Sequence, residues 1–240
     1  MLGPHALAED LVSGISQDQI QITSNYAGSD IVVFGAVEQS GSSSTGTRDV
    51  VVVVRGPDTD FVVRRKARVA GIWLNRDKIT LYGMPAYYYV ASTRPLAKIA
   101  GNAALAQFQL GLAHLMPERE STRSVRKGEP FRRAAIRTRV RQQLYAEAPD
   151  GVEFLSYSLF RVHVPVPASV PRGQYAVQVY LFRDGSVVSA QTTPLFVDQI
   201  GLERRLFHYA HARPLEYGLA TVLMAMLLGW GSSFVFKRPA

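Results

Sequence analysis

Nine cations crowd one short stretch of this chain: Arg119, Arg123, Arg126, Lys127, Arg132, Arg133, Arg137, Arg139 and Arg141. A guanidinium is a planar fork that holds carboxylates, phosphates and sulfonates by paired hydrogen bonds. In a cytoplasmic protein such a run suggests nucleic acid. In an exported one it leaves acidic lipid head groups, an acidic partner, or a solvated helix face. Ile136, Val140 and Leu144 fall on one stripe of the same segment, so part of it packs. Arg132, Arg133, Arg137, Arg139 and Arg141 are the candidate partner or anion surface, with no nucleic acid expected.

Other chemistry is sparse. His208 and His211 have the i, i+3 spacing that can present two imidazoles to a metal, but no third ligand stands near them in sequence. Glu203 and Glu216 are close only along the chain, and His114 and His163 are isolated. No metal site is expected. Asp58 and Asp60 flank Thr59 as turn formers. There is no G-x-S-x-G elbow, no phosphate-cradling glycine loop and no H-E-x-x-H. The absence of cysteine excludes disulfides, thiolate metal sites and cysteine nucleophiles. The expectation is a protein without cofactor that is not an enzyme. Tyr87, Tyr88 and Tyr89 alternate across a strand, two on one face and one on the other, which suits core and cross-strand packing.

The elements that must position these residues are mostly strands. With 240 residues, 47% of them hydrophobic, the chain can bury a real core. Alternation and β-branched enrichment mark Gln19–Tyr26, Asp30–Val37, Asp49–Arg55, Phe61–Lys66, Arg68–Leu74, Lys78–Tyr82 and Ala86–Ala91. Asn75-Arg76-Asp77 reads as a turn, and Ser40–Gly46 as a flexible loop tip. From Pro95 to Leu115 the apolar spacing turns helical, Pro117–Pro130 reads as a loop, and Phe131–Ala146 as a second helix. Strands return at Leu159–Val164, Tyr175–Arg183, Ser186–Gln191 and Pro194–Gln199, with an Asp184-Gly185 hairpin.

The expected fold is mainly β: an immunoglobulin-like β-sandwich, in one or two subdomains, with a helical insertion and a single C-terminal transmembrane helix. The expected parts are β-sandwich over 11–93, a basic helical insertion over 94–149, and sandwich again over 150–200. A juxtamembrane helix over 201–216, a transmembrane helix over 217–236 and a cytoplasmic tail over 237–240 complete the chain.

Tyr217–Phe236 carries no charge over 20 residues, the length that spans a bilayer as a helix. Gly218, Gly229 and Gly231 would let a partner helix approach it closely. Leu202–His211 reads as a short helix on the membrane surface or against the sandwich. At the other end, His5–Asp10 (HALAED) has the form of a signal-peptide cleavage site, with residues 1–10 its remnant. Export would place the bulk of the chain in the periplasm and the C-terminus in the cytoplasm, across a bacterial inner membrane.

Three stretches then carry a resemblance: ITSNYAGSDIVVFGAV, VPRGQYAVQVYLFRDG and GLERRLFHYAHARPLEYG, with Lys237-Arg238 beyond. In the last, Gly201, Glu203, Pro214, Leu215, Tyr217 and Gly218 match. The order resembles a family of uncharacterised alphaproteobacterial single-pass membrane proteins, Alph_Pro_TM-like, over nearly the whole chain. The resemblance implies a signal peptide and a setting beside sulfite or organosulfonate exporter-type permeases. It implies no catalytic residue. The expectation is a non-enzymatic periplasmic accessory or adaptor of a membrane permease. A periplasmic anion-binding or sensing module, and a cytoplasmic tail-anchored basic protein, are the alternatives.

Overall fold

The computed structural model describes residues 11–23, 26–37, 47–69, 71–121, 125–199 and 210–235. The cleavage-site stretch, the Ser40–Gly46 tip, nearly all of Leu202–His211 and the 237–240 tail lie outside them. The chain divides into two compact units, residues 1–20 with 26–198, and residues 21–25 with 199–240.

Two sheets hold most of the described strands. One holds β1 (Leu11–Ile15), β3 (Ser29–Val37), β11 (Leu159–Val166) and β10 (Val152–Phe154), in the order β1-β3-β11-β10. The other holds β2 (Gln19–Ile22), β13 (Ser186–Gln199), β12 (Gly173–Arg183), β4 (Arg48–Arg55), β7 (Tyr88–Ser92) and β9 (Tyr145–Pro149), in the order β2-β13-β12-β4-β7-β9. Early strands pair with late ones: β3 with β11 and β4 with β12, both antiparallel. The two β-rich parts of the sequence therefore share the same sheets.

Alternation explains the first sheet. Ile31, Val33 and Val37 on β3 are buried, as are Phe160, Val162, Val164 and Val166 on β11, while intervening residues such as Phe34 and Leu159 are exposed. Strand β4 behaves differently, because Val50 to Val54 are all buried. A continuous valine run is what a strand covered on both faces requires. The outer cover is the segment after β7, which supplies buried Leu105, Leu110 and Leu115. Phe108 meets Tyr180 of β12 at 5.5 Å between ring centroids.

That cover corrects the single helix expected over Pro95–Leu115. It is two short helices, α1 (Leu96–Ile99) and α2 (Asn102–Gln107), followed by turns with positive φ at Gln109 and Gly111. Gly101 between them is a poor helix residue, and the buried leucines recur every five residues, which suits a plate lying on a sheet. The second expected helix starts and stops early, as α3 (Val125–Arg141). Tyr145–Pro149 becomes β9, parallel to β7. Here tertiary packing overrides the helical pattern: the Tyr145 ring meets Tyr88 at 6.1 Å, and its hydroxyl donates to the Pro85 carbonyl at 2.5 Å.

A third sheet is a long hairpin, β5 (Asp58–Val69) with β6 (Ile72–Pro85), joined at its base by β8 (Arg119–Glu120). The stretch Arg68–Leu74 is therefore not one strand, since it contains the hairpin turn, with Gly71 at φ 87°. Asn75-Arg76-Asp77 is not a turn either. It lies inside β6, where the register shifts opposite Arg65 and Lys66 and a bulge absorbs the polar residues.

The second unit contains α4 (Pro214–Val235). The expected transmembrane helix over Tyr217–Phe236 is corrected here: among the described residues, no helix is long and apolar enough to cross a membrane. Lacking charge is weaker than being apolar. Tyr217, Gly218, Gly229, Trp230 and Gly231 add little transfer energy, so the strongly apolar run is confined to Leu219–Leu228, about 15 Å of helix.

Candidate interaction surface

Helix α3 carries the arginines, and its phase divides them. At 3.6 residues per turn, Arg132 and Arg139 share one side, while Arg133, Arg137 and Arg141 form a stripe on another. The first side belongs to the stripe that packs on the β5–β6 hairpin. Phe131 and Ala135 are its buried residues. Val140, expected inside, is exposed, whereas Leu144 is buried as expected.

The packed side uses its cations as structure. The Arg139 guanidinium lies over the Phe61 ring of β5 at 4.1 Å, and burial pulls it below its ordinary pKa. Arg65 of β5 reaches the other way and lies over Phe131 at 5.6 Å, while also pairing with Asp77 of β6. Arg132 pairs with Glu120 of β8 at 3.6 Å, with both side chains only 12–13% exposed. Glu120 also crowds buried Gly128 of α3, where a Cβ would lie 1.7 Å from the carboxylate oxygen. The helix and the hairpin are clamped by two cation–π contacts and one shielded ion pair.

The other side is open. Arg133 pairs with Glu129 one turn back, and among the described residues no ion pair involves Arg137 or Arg141. Arg133 and Arg137 border a cleft of 560 Å³ with Leu112, Ile136 and Glu129. A neighbouring cleft of 630 Å³ runs past Val140 and Gln143 to Asp30 and Glu147. Glu147 already accepts the Leu112 N–H. The five arginines do not converge on one anion.

Polar groups elsewhere are committed to the fold. Tyr87 donates to the Pro165 carbonyl at 2.5 Å and Tyr89 to that of His163 at 3.1 Å, both across to β11. Tyr88 points the other way and donates to the Gln109 carbonyl at 2.8 Å, holding the helical cover. Tyr175 donates to Pro171 at 2.5 Å. Burial pushes the hydroxyls of Tyr87, Tyr88, Tyr145 and Tyr175 well above the usual tyrosine range. The three consecutive tyrosines are core packing, as their alternation suggests. Asp58 pairs with Arg55 at 2.9 Å, and Asp60 accepts the Gly83 N–H at 3.4 Å. Asp49, 3% exposed, takes a fork from Arg94 at 2.6 and 2.8 Å and a hydroxyl from Thr93 at 2.8 Å.

His208 lies outside the described residues, so the His208–His211 pair is not formed within them. Among the described residues no group of three His, Asp or Glu could hold a metal. A Cβ built on Gly218, Gly229 or Gly231 of α4 meets no atom within 4 Å.

A family model described as "Putative transmembrane protein (Alph_Pro_TM)" matches residues 10–238. The chain belongs to that family. A search of curated proteins finds no match.

The surface that sequence reasoning missed is on the hairpin. Ile72, Trp73 and Leu74 at its tip are 65%, 66% and 51% exposed. Arg64, Lys66, Arg68 and Lys78 are exposed along its strands. The signal was an apolar triplet beside a cationic β segment, hidden because the triplet was counted as strand core.

Proposed function

We propose that this Alph_Pro_TM protein is a non-enzymatic accessory protein that works at a membrane, with its β body in the periplasm as a docking surface for a membrane partner. An exporter-type permease of small anions is the partner class that fits the family resemblance. The observation that carries this reading is α4. Leu219, Val222, Leu223, Met224, Met226, Leu227 and Leu228 are exposed and cover about two thirds of the helix circumference. An apolar helix face this wide is stabilised when other apolar groups cover it, which suits a surface that docks.

Two further observations support a docking body over a catalyst. The strand orders β1-β3-β11-β10 and β2-β13-β12-β4 follow the A-B-E-D and A′-G-F-C orders of an immunoglobulin-type sandwich, a fold that recognises partners through edges and loops. Asp49, Asp58, Asp60 and Tyr87 are engaged in structural bonds.

The test is affinity purification of the full chain from solubilised membranes, with the captured proteins identified by mass. One permease in near-equal amount, lost when Tyr217–Phe236 is replaced by an unrelated apolar helix, is the expected result. Recovery of the protein alone would overturn the adaptor reading.

A further inference from the structure

The geometry points to a second membrane contact: the tip and outward face of the β5–β6 hairpin dock on an anionic phospholipid surface. The inference rests on the reading that the protein works at a membrane, and it concerns a different element from α4.

Register assigns the hairpin's two faces. Directly paired residues share a face, and faces alternate along each strand. Phe61 with Leu81 and Val63 with Ile79 occupy the face toward α3, where Phe61, Leu81 and Ile79 are buried. Arg65, paired with Asp77, lies on that face too, and its charge is neutralised there. The opposite face carries Val62 with Thr80, Arg64 with Lys78, Lys66 with Asn75, and Arg68 with Trp73. From Val62 to the tip this outward face presents four cations and no carboxylate, and all four are exposed.

The tip completes the pattern. Three consecutive exposed apolar residues at the end of a two-stranded rib are a liability in water unless something covers them. A protein partner needs roughly 800 Å² of matched surface, which the narrow end of one hairpin does not offer. A bilayer makes no such demand. An apolar tip can enter the boundary between head groups and acyl chains, about 5–10 Å deep, and an indole favours that depth. At about 3.3 Å per residue, Lys66 then sits about 7 Å behind the Arg68–Trp73 rung, and Arg64 with Lys78 about 13 Å behind. Those are the depths of phosphate groups and of the charged layer above them, where each cation strengthens binding about fivefold. Charge and shape together select anionic lipid.

Trp73 provides a local reporter once Trp230→Phe leaves it the sole tryptophan of the full chain. The protein is mixed with vesicles of phosphatidylcholine alone, or with one third phosphatidylglycerol. Flotation reads attachment of the whole protein, whereas Trp73 emission and its quenching by brominated acyl chains read the hairpin. The expected result is a blue shift and quenching with phosphatidylglycerol, absent with phosphatidylcholine and reversed by high salt. Replacing Arg64, Lys66, Arg68 and Lys78 together by Gln should weaken the Trp73 response roughly six-hundredfold, the fivefold effect of one cation compounded over four. Circular dichroism matching the parent verifies that this variant is folded. Trp73→Ser in the full chain, read by flotation on the two vesicle types, provides a second arm: the preference for phosphatidylglycerol should weaken while the circular dichroism stays that of the parent. The inference is overturned if the protein floats but Trp73 stays solvent-quenched, or responds equally to neutral and anionic vesicles. It is equally overturned if an acidic protein, and not lipid, shifts the emission. Failure of the full chain to float on either vesicle would instead count against membrane attachment itself.

Discussion

The molecule contains two long hairpins with the same local grammar and opposite fates. β12–β13 closes through Asp184 and Gly185 at φ 47° and 85°, and β5–β6 closes through a two-residue connection with Gly71 at φ 87°. Both are β-rich with alternating residues. In the first, β12 is paired on both edges, by β13 and β4, and buries Tyr175, Val177, Val179 and Leu181 on one face with Tyr180 and Phe182 on the other. In the second, β8 pairs at only two positions, and α3 covers one face. Neighbours, not the hairpin itself, decide which becomes core and which becomes surface. The uncovered hairpin is where side chains remain available for an outside partner.

That contrast can be broken or sharpened by measurement. Phe182 is fully buried on β12, so Phe182→Ala should cost about 3–5 kcal/mol in denaturant unfolding of the full chain. A loss below about 1 kcal/mol would erase the distinction between the two hairpins. A collective effect follows from the tyrosines. Their folded-state pKa values lie above the unfolded value of about 10, so their neutral form is favoured by folding. Their contribution is complete below about pH 10 and is lost as pH rises above it. Unfolding midpoints should hold level up to that pH and then fall together with tyrosinate absorbance. Ionisation of Tyr87, Tyr88, Tyr145 or Tyr175 near pH 10 in the folded protein, read residue by residue by NMR, would mean that these hydroxyls are not buried.

Smaller effects follow. Asp49→Ala should cost about 1–3 kcal/mol, because the Thr93 hydroxyl and the Arg94 fork lose their acceptor. Arg139→Ala removes one half of the α3–hairpin clamp and should cost about 0.5–2 kcal/mol, with hydrogen exchange accelerating in β5 and α3 before β12. If β12 exchanges just as fast, the hairpin is not an independently held arm. Trp73→Ser, at an exposed tip, should move stability by less than about 0.5 kcal/mol. A larger change would place Trp73 in a packed site and remove the basis for a lipid contact.

Much of the β framework was legible. The alternation of β3, β11 and β12 and the Asp184-Gly185 turn were local signals, and the structure places strands and a turn there. The β5–β6 turn was misread because Ile72-Trp73-Leu74 looks like strand interior, and Asn75-Arg76-Asp77 looks like a turn until a bulge accommodates it. The arginines were legible as a group but not by role. Arg132 and Arg139 differ from Arg137 and Arg141 only in what lies opposite them.

From the sequence alone came the β-rich class, the family, the cationic excess and the absence of cysteine chemistry. These depend on composition, period and motif, which one chain carries along its length. Tertiary structure decided that early and late strands share sheets, that 95–115 is a plate and not a helix, and that Tyr145 ends in a parallel strand. It also decided which arginines are spent on packing and which hairpin face stays open. A side chain's own period says which face it points to. Whether that face meets water or another element depends on residues far away in the chain, and only the folded arrangement brings those together.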